Sequence, residues 1–264
     1  GTTNTNTGNV IVKRNSSPLL RLDYTLWSSP VTSQNLLAFS PATIATRFYD
    51  FNTTYNVGGV NGAYSAIADP SATSFTAGKG YLIRMPDTAD PATPTAFAGV
   101  FTGVPNNGDI PVALTDGAAA GLRYNAVGNP YPSPIKMQNF VFDNPANIQP
   151  TLYFWRKTNG TGTAYCTWVA GELVTDPGTF VTNNNAQSVD PLDIIQTGQG
   201  FFVEAKSGAT SLSFNNNQRV ANNVGQFFKI KQVAEPSKIW LNATNAAGDF
   251  SQMAITYFAE ATIG

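Results

Sequence analysis

The chain has no histidine and a single cysteine. Without histidine there is no Ser-His-Asp or Cys-His arrangement and no imidazole to hold zinc. The lone Cys166 has no partner within the chain, so no internal disulfide staples the fold and stability has to come from packing. It stands in the apolar run Ala164-Tyr165-Cys166-Thr167-Trp168, where it reads as a small buried hydrophobe rather than a nucleophile. Charge is scarce as well. Asp, Glu, Lys and Arg make up 12% of residues, with a net charge of −1, about half the usual charged share. No basic footprint addresses nucleic acid and no acidic tail addresses a basic partner. No apolar run approaches the roughly 18 residues of a membrane span, and long amphipathic helical patterns are missing throughout.

What is present is strand. Aromatic and β-branched runs recur at Thr46–Phe51, Gly80–Met85, Ala96–Phe101, Ile110–Leu114, Arg123–Val127, Thr151–Lys157, Ala164–Val169, Gly200–Ala205, Ser211–Phe214, Gln226–Lys231, Ile239–Thr244 and Ser251–Phe258. Clusters of Gly, Pro, Asn and Asp separate them. Asn159-Gly160 is the sharpest hairpin signal and Asn106-Asn107-Gly108-Asp109 is a second turn signal. The stretch 176–190 reads as a long exposed loop. At 264 residues the chain suffices for one large all-β unit or two smaller ones.

One stretch occurs twice. Gly78-Lys79-Gly80 runs into Tyr81-Leu82-Ile83-Arg84, and Gly198-Gln199-Gly200 runs into Phe201-Phe202-Val203-Glu204. A phosphate loop follows a strand and opens a helix; here the glycines open a strand, so they read as backbone devices that admit a buried strand, with Leu82 and Phe202 in the core. Other pieces recur in the same order. Leu26-Trp27-Ser28-Ser29-Pro30 is echoed by Val127-Gly128-Asn129-Pro130, Gln34–Phe39 by Gln138–Phe142, and Arg47-Phe48-Tyr49 by Leu152-Tyr153-Phe154. The expected fold is all-β, with two tandem repeats forming β-sandwich-like modules. They could equally be two halves of one larger unit. The expected boundaries are the end of an upstream β-region or a linker over 1–22, with one strand-like piece at Asn9–Lys13, repeats over 23–122 and 123–236, and the start of a further β-element over 237–264. The chain begins without Met or signal peptide and stops on a strand pattern, which reads as a segment of a longer polypeptide.

Candidate sites are thin. Trp155, Trp168 and Tyr131 are the residues a carbohydrate-binding reading would use, because aromatic faces stack on sugar rings. Against that, Leu152-Tyr153-Phe154-Trp155-Arg156 is apolar on both faces, as a doubly buried strand would be. Tyr131 sits in the rigid bend Gly128-Asn129-Pro130-Tyr131-Pro132-Ser133-Pro134. No spacing selects a glycosidase carboxylate pair. No metal site is expected. The acidic turns would admit calcium, but no Asp-x-Asp-x-Asp-Gly loop supports it.

The longer run of motifs resembles a module of large secreted proteins of Bacteroidetes, especially flavobacteria, exported by the type IX secretion system. The likeness rests on Val12-Lys13-Arg14-Asn15, Leu22–Val31, Gly78–Pro86, Phe101–Asp109, Val127–Ser133, Leu152–Arg156, Gly198–Val203, Arg219–Asn223 and Gln226-Phe227-Phe228. It implies an extracellular, cell-surface address, an upstream repetitive β-region as neighbour, and a C-terminal sorting domain, absent here, that engages the export machinery. It brings no catalytic residues. Asp87-Thr88-Ala89 resembles an O-glycosylation site of the same bacteria, with Thr88 as acceptor. The expected function is therefore non-catalytic: a structural or adhesive module, an adhesin segment open to a filament or other self-association. The alternative is a carbohydrate-binding module for polysaccharide capture.

Overall fold

The computed structural model describes residues 5–119, 121–158, 161–175, 178–181, 193–221, 237–244 and 250–257. They fall into two compact units, 1–229 and 230–264. The second holds one antiparallel hairpin, β16 (Ser237–Thr244) with β17 (Phe250–Tyr257). The expected strand at Gln226–Lys231 lies outside the described residues, as does most of the expected loop over 176–190. The rest concerns the first unit.

Two antiparallel sheets carry that unit. The first runs β2 (Tyr24–Trp27), β5 (Tyr81–Arg84), β3 (Phe48–Val57), β4 (Val60–Ala66). The second runs β8 (Tyr124–Gly128), β14 (Gly200–Ala205), β10 (Ile148–Thr158), β11 (Thr161–Val169), β12 (Thr179–Val181). The order is the same in both, with β12 added at one edge. A short helix follows the first strand of each set, α1 (Leu36–Phe39) and α2 (Met137–Asp143). Over each sheet lies a two-stranded ribbon, β1 (Val10–Leu19) with β6 (Thr95–Gly103) in the first case and β7 (Ile110–Ala113) with β15 (Ser211–Phe214) in the second. A small ladder of β9 (Ile135–Lys136) and β13 (Ile194–Ile195) completes the second half. The molecule is all-β and sandwich-like.

Both faces of both sheets are buried near their centres. Outward, Trp27, Phe48 and Tyr81 pack with Phe39 of α1 and Phe101 of β6, whose rings stack at 4.4 Å and 23°. In the second half Phe140 of α2 stacks on Phe214 of β15 at 4.8 Å and 25°. Inward, Leu26 and Leu82 of one sheet meet Ala126 and Phe202 of the other. Strands buried on two sides carry no clean polar alternation, which is why Tyr81-Leu82-Ile83 and Phe201-Phe202-Val203 are apolar throughout.

The sheets are fastened where each Gly-x-Gly loop reaches the first strand of the other half. Lys79 bridges to Val127 and Gln199 to Trp27. The Ser28 amide donates to the Gly198 carbonyl at 2.9 Å, and the Gly128 amide donates to the Gly78 carbonyl at 2.9 Å. These contacts are reciprocal, the signature of a two-fold relation between surfaces. Approach is close enough to require glycine. A Cβ on Gly80 would lie 2.8 Å from the Val127 carbonyl oxygen, and one on Gly200 would lie 2.5 Å from Leu26 Cγ and 3.0 Å from its carbonyl oxygen. A Cβ on Gly128 would lie 2.4 Å from that of Ser28, its counterpart.

Several expectations change. The stretch 1–22, expected as the end of an upstream β-region or a linker, contains β1, which pairs within this unit with β6 from Val10↔Gly103 to Leu19↔Thr95. A boundary at 122/123 would part β7 from β15, so the second half begins at β7. Asn106-Asn107-Gly108-Asp109 joins strands of different ribbons and closes no hairpin. Strand β4 has weak propensity and was not expected. Its signal is the turn before it, Gly58-Gly59, both at positive φ (62° and 81°) between paired Val57 and Val60, as a two-residue type I′ hairpin demands.

Gly200→Ala and Gly128→Ala are each expected to cost about 1–3 kcal/mol of unfolding free energy by overpacking, read as a lower urea midpoint. Ser28→Gly should recover part of the loss in Gly128→Ala. Unchanged midpoints in the single variants would show that the crossing tolerates a methyl group.

Candidate functional site

The acidic residues are mostly spent on turns. Asp69 accepts from the amides of Ser71 (2.8 Å) and Ala72 (3.1 Å), and Asp90 from those of Ala92 (2.7 Å) and Thr93 (2.9 Å). Both carboxyls are held below their ordinary pKa, Asp69 first by the Ser71 hydroxyl and Asp90 by its two amides. Among the described residues no three His, Cys, Asp or Glu side chains gather as a metal would need. The Asp87 carboxylate accepts from buried Arg84 at 2.7 Å. Lys79 and Asp50 form an ion pair at 2.6 Å in a cleft of about 550 Å³, whose walls include Asn52, Thr54, Ser65 and Thr76. Both partners are more than a third exposed, so their attraction is screened.

The more distinctive feature lies between the sheets. Alternation places Tyr49 and Phe51 on the inner face of β3, and cross-strand pairing sets Phe51 opposite Tyr64 of β4. In the other sheet Trp155 of β10 stands opposite Tyr165 of β11. Registers against β5 and β14 make Tyr49 the counterpart of Tyr153, since they face Leu82 and Phe202 respectively. Tyr24 likewise corresponds to Tyr124, through Arg84 and Glu204. Equivalent rings meet in equivalent ways: Tyr24–Tyr49 at 5.8 Å and Tyr124–Tyr153 at 5.3 Å, Phe51–Tyr64 and Trp155–Tyr165 both at 5.3 Å, all edge-on. The seam is thus a paired aromatic layer.

That layer leaves a cavity of about 410 Å³, lined by Phe51, Asn61, Gly62, Ala63 and Tyr64 from one sheet and Tyr124, Tyr153, Tyr165, Thr167 and Phe202 from the other. Burial raises the pKa of Tyr64, Tyr153 and Tyr165, so these phenols are neutral at physiological pH. Among the described residues no charged side chain lines the space.

The residues singled out in the sequence lie elsewhere. Trp168 is 1% exposed, inside the outer core of the second half, and Tyr131 is 0% exposed, its hydroxyl donating to the Gly108 carbonyl at 2.6 Å with Arg219 over its ring. Neither presents a face to solvent, which removes both as sugar platforms. Trp155 is half-buried in the aromatic seam, 6.0 Å from the Tyr64 ring. Thr88 is exposed. The four cavity tyrosines were not foreseen. One trace of them was readable: Tyr24 and Tyr124 each stand four residues before the serine or glycine that opens the shared Ser-Pro or Asn-Pro bend.

Asp116 ties the loop after β7 to the turn before β15. It accepts from the Gly208 amide at 2.7 Å, the Arg123 guanidinium at 2.8 Å and the Ala118 amide at 2.9 Å, which together lower its pKa to about 2. A carboxyl depressed on folding stabilises the fold above its unfolded pKa, and the benefit is lost as pH falls through the folded value. Urea midpoints are therefore expected to drop from about pH 4 towards about 2, and Asp116→Asn should flatten that part of the profile. An unaltered profile in the variant would show that the carboxylate is not linked to folding.

One family model matches the chain, over residues 1–264, and is described as a domain of unknown function, DUF8693. No curated protein and no solved structure matches it.

Proposed function

The chain belongs to the DUF8693 family, and we propose that it is a non-catalytic structural segment of an extracellular, cell-surface protein, with adhesion as the task of the polypeptide that carries it. The reciprocal glycine crossing is the observation that supports this most. Conspicuous features of the first unit, the crossing, the doubly buried strands and the turn-bound carboxylates, serve cohesion. A compact unit followed by a second one also suits modules arranged in series. The extracellular address, export by a type IX system through a sorting domain outside this chain, and neighbouring β-modules are proposals that rest on the sequence resemblance. No helix among the described residues is long and apolar enough to cross a membrane. Thr88 is proposed as a glycan acceptor; its exposure leaves the hydroxyl reachable.

Antibodies raised against residues 1–264 are expected to label intact cells of the source bacterium, and added protease should abolish the signal. The native protein should carry a mass increment that Thr88→Ala removes. Labelling only after permeabilisation would overturn the surface assignment, and an unmodified native mass would remove the glycosylation proposal.

A further inference from the structure

The aromatic cavity differs from the matching place on the other half in ways that open it and make it polar. Where Phe51 stands, the counterpart is the larger Trp155; where Thr167 stands, it is Ala66. Gly62 adds no side chain above Phe51, whose ring would lie 2.6 Å from a Cβ there. The result is a space of about 410 Å³ between two packed sheets, within the roughly 300–1,000 Å³ of small-molecule pockets.

Its chemistry narrows the occupant. Phenyl and phenol rings form the walls. The lining residues that carry polar groups are Tyr124, Tyr153, Tyr165 and Thr167 with their hydroxyls and Asn61, exposed, with its amide. With no counter-charge among the described lining residues, a charged ligand would lose hydration without compensation. A purely apolar one would leave the hydroxyls dry. An uncharged ring with an apolar face and hydroxyls around its edge meets all of these conditions. We propose that this cavity is a binding site for a neutral pyranose sugar, stacked on the tyrosine rings and hydrogen-bonded through Thr167 and Asn61. The site is independent of the structural role and uses neither Trp168 nor Tyr131.

Saturation-transfer NMR on the full chain tests this. The probes are the methyl glycosides of glucose, galactose, mannose and N-acetylglucosamine at millimolar concentration, with glucuronate and benzoate as charged controls. At least one neutral glycoside should receive saturation and the controls should not. Phe51→Trp, which puts the larger ring of its counterpart into the space, should abolish the transfer. Thr167→Val, which keeps the shape and removes one hydroxyl, should weaken binding up to about tenfold. Silence from every neutral glycoside overturns the proposal, as does transfer that persists in folded Phe51→Trp or benzoate saturated as strongly as the sugars. If thermal unfolding shows that Phe51→Trp does not fold, Thr167→Val decides: unchanged affinity overturns the site.

Discussion

Backbone meeting backbone without intervening side chains is the constraint on which this molecule depends. Where Gly78-Lys79-Gly80 crosses Val127 and Gly198-Gln199-Gly200 crosses Trp27, main-chain groups of one half satisfy those of the other. Glycine is needed because the neighbouring carbonyls stand where a Cβ would be. Once this contact is made, the two sheets are held at a separation that only the inward residues can fill. Leu82 and Phe202, one residue beyond each loop's tyrosine or phenylalanine, are carried to the centre of that space.

The two kinds of core follow from it. Outward, each sheet is closed by its own ribbon and helix, and large apolar rings such as Phe101 and Phe214 dominate. Inward, close backbone approach at the glycine crossing gives way, along β3, β4, β10 and β11, to space that aromatic rings fill. The seam's tyrosines occupy matching positions in the two halves. Its departures from that match, Phe51 against Trp155 and Thr167 against Ala66, are where a cavity with polar walls appears.

Much of the strand layout was legible because propensity and packing agree there, as at Ile110–Leu114 and Ser211–Phe214. The doubled Gly-x-Gly was legible as a backbone device, and Leu82 and Phe202 as core. Three features were not. Arg47-Phe48-Tyr49 was matched to Leu152-Tyr153-Phe154 in that order, whereas the ladders make Phe48 the counterpart of Leu152; a one-residue slip is invisible in an aromatic run until its partner strand sets register. β1 reads as the end of an upstream β-region or a linker because its partner lies far along the chain at Thr95–Gly103. The site reading fell on tryptophans, the largest stacking faces, but two of the three residues chosen are sealed inside. The tyrosines that surround open space are conspicuous only as pairs.

By itself the sequence determined the class of fold, the lack of imidazole chemistry, the strands and the glycines that start two of them, because these depend on residue type and near neighbours. Tertiary structure alone decided which strand each glycine crosses, that a distant segment covers Val10–Leu19, and which aromatic rings face a cavity rather than a core. Those outcomes turn on which distant backbones pair and in what register, and period-2 alternation places a side chain on a face without saying what lies opposite.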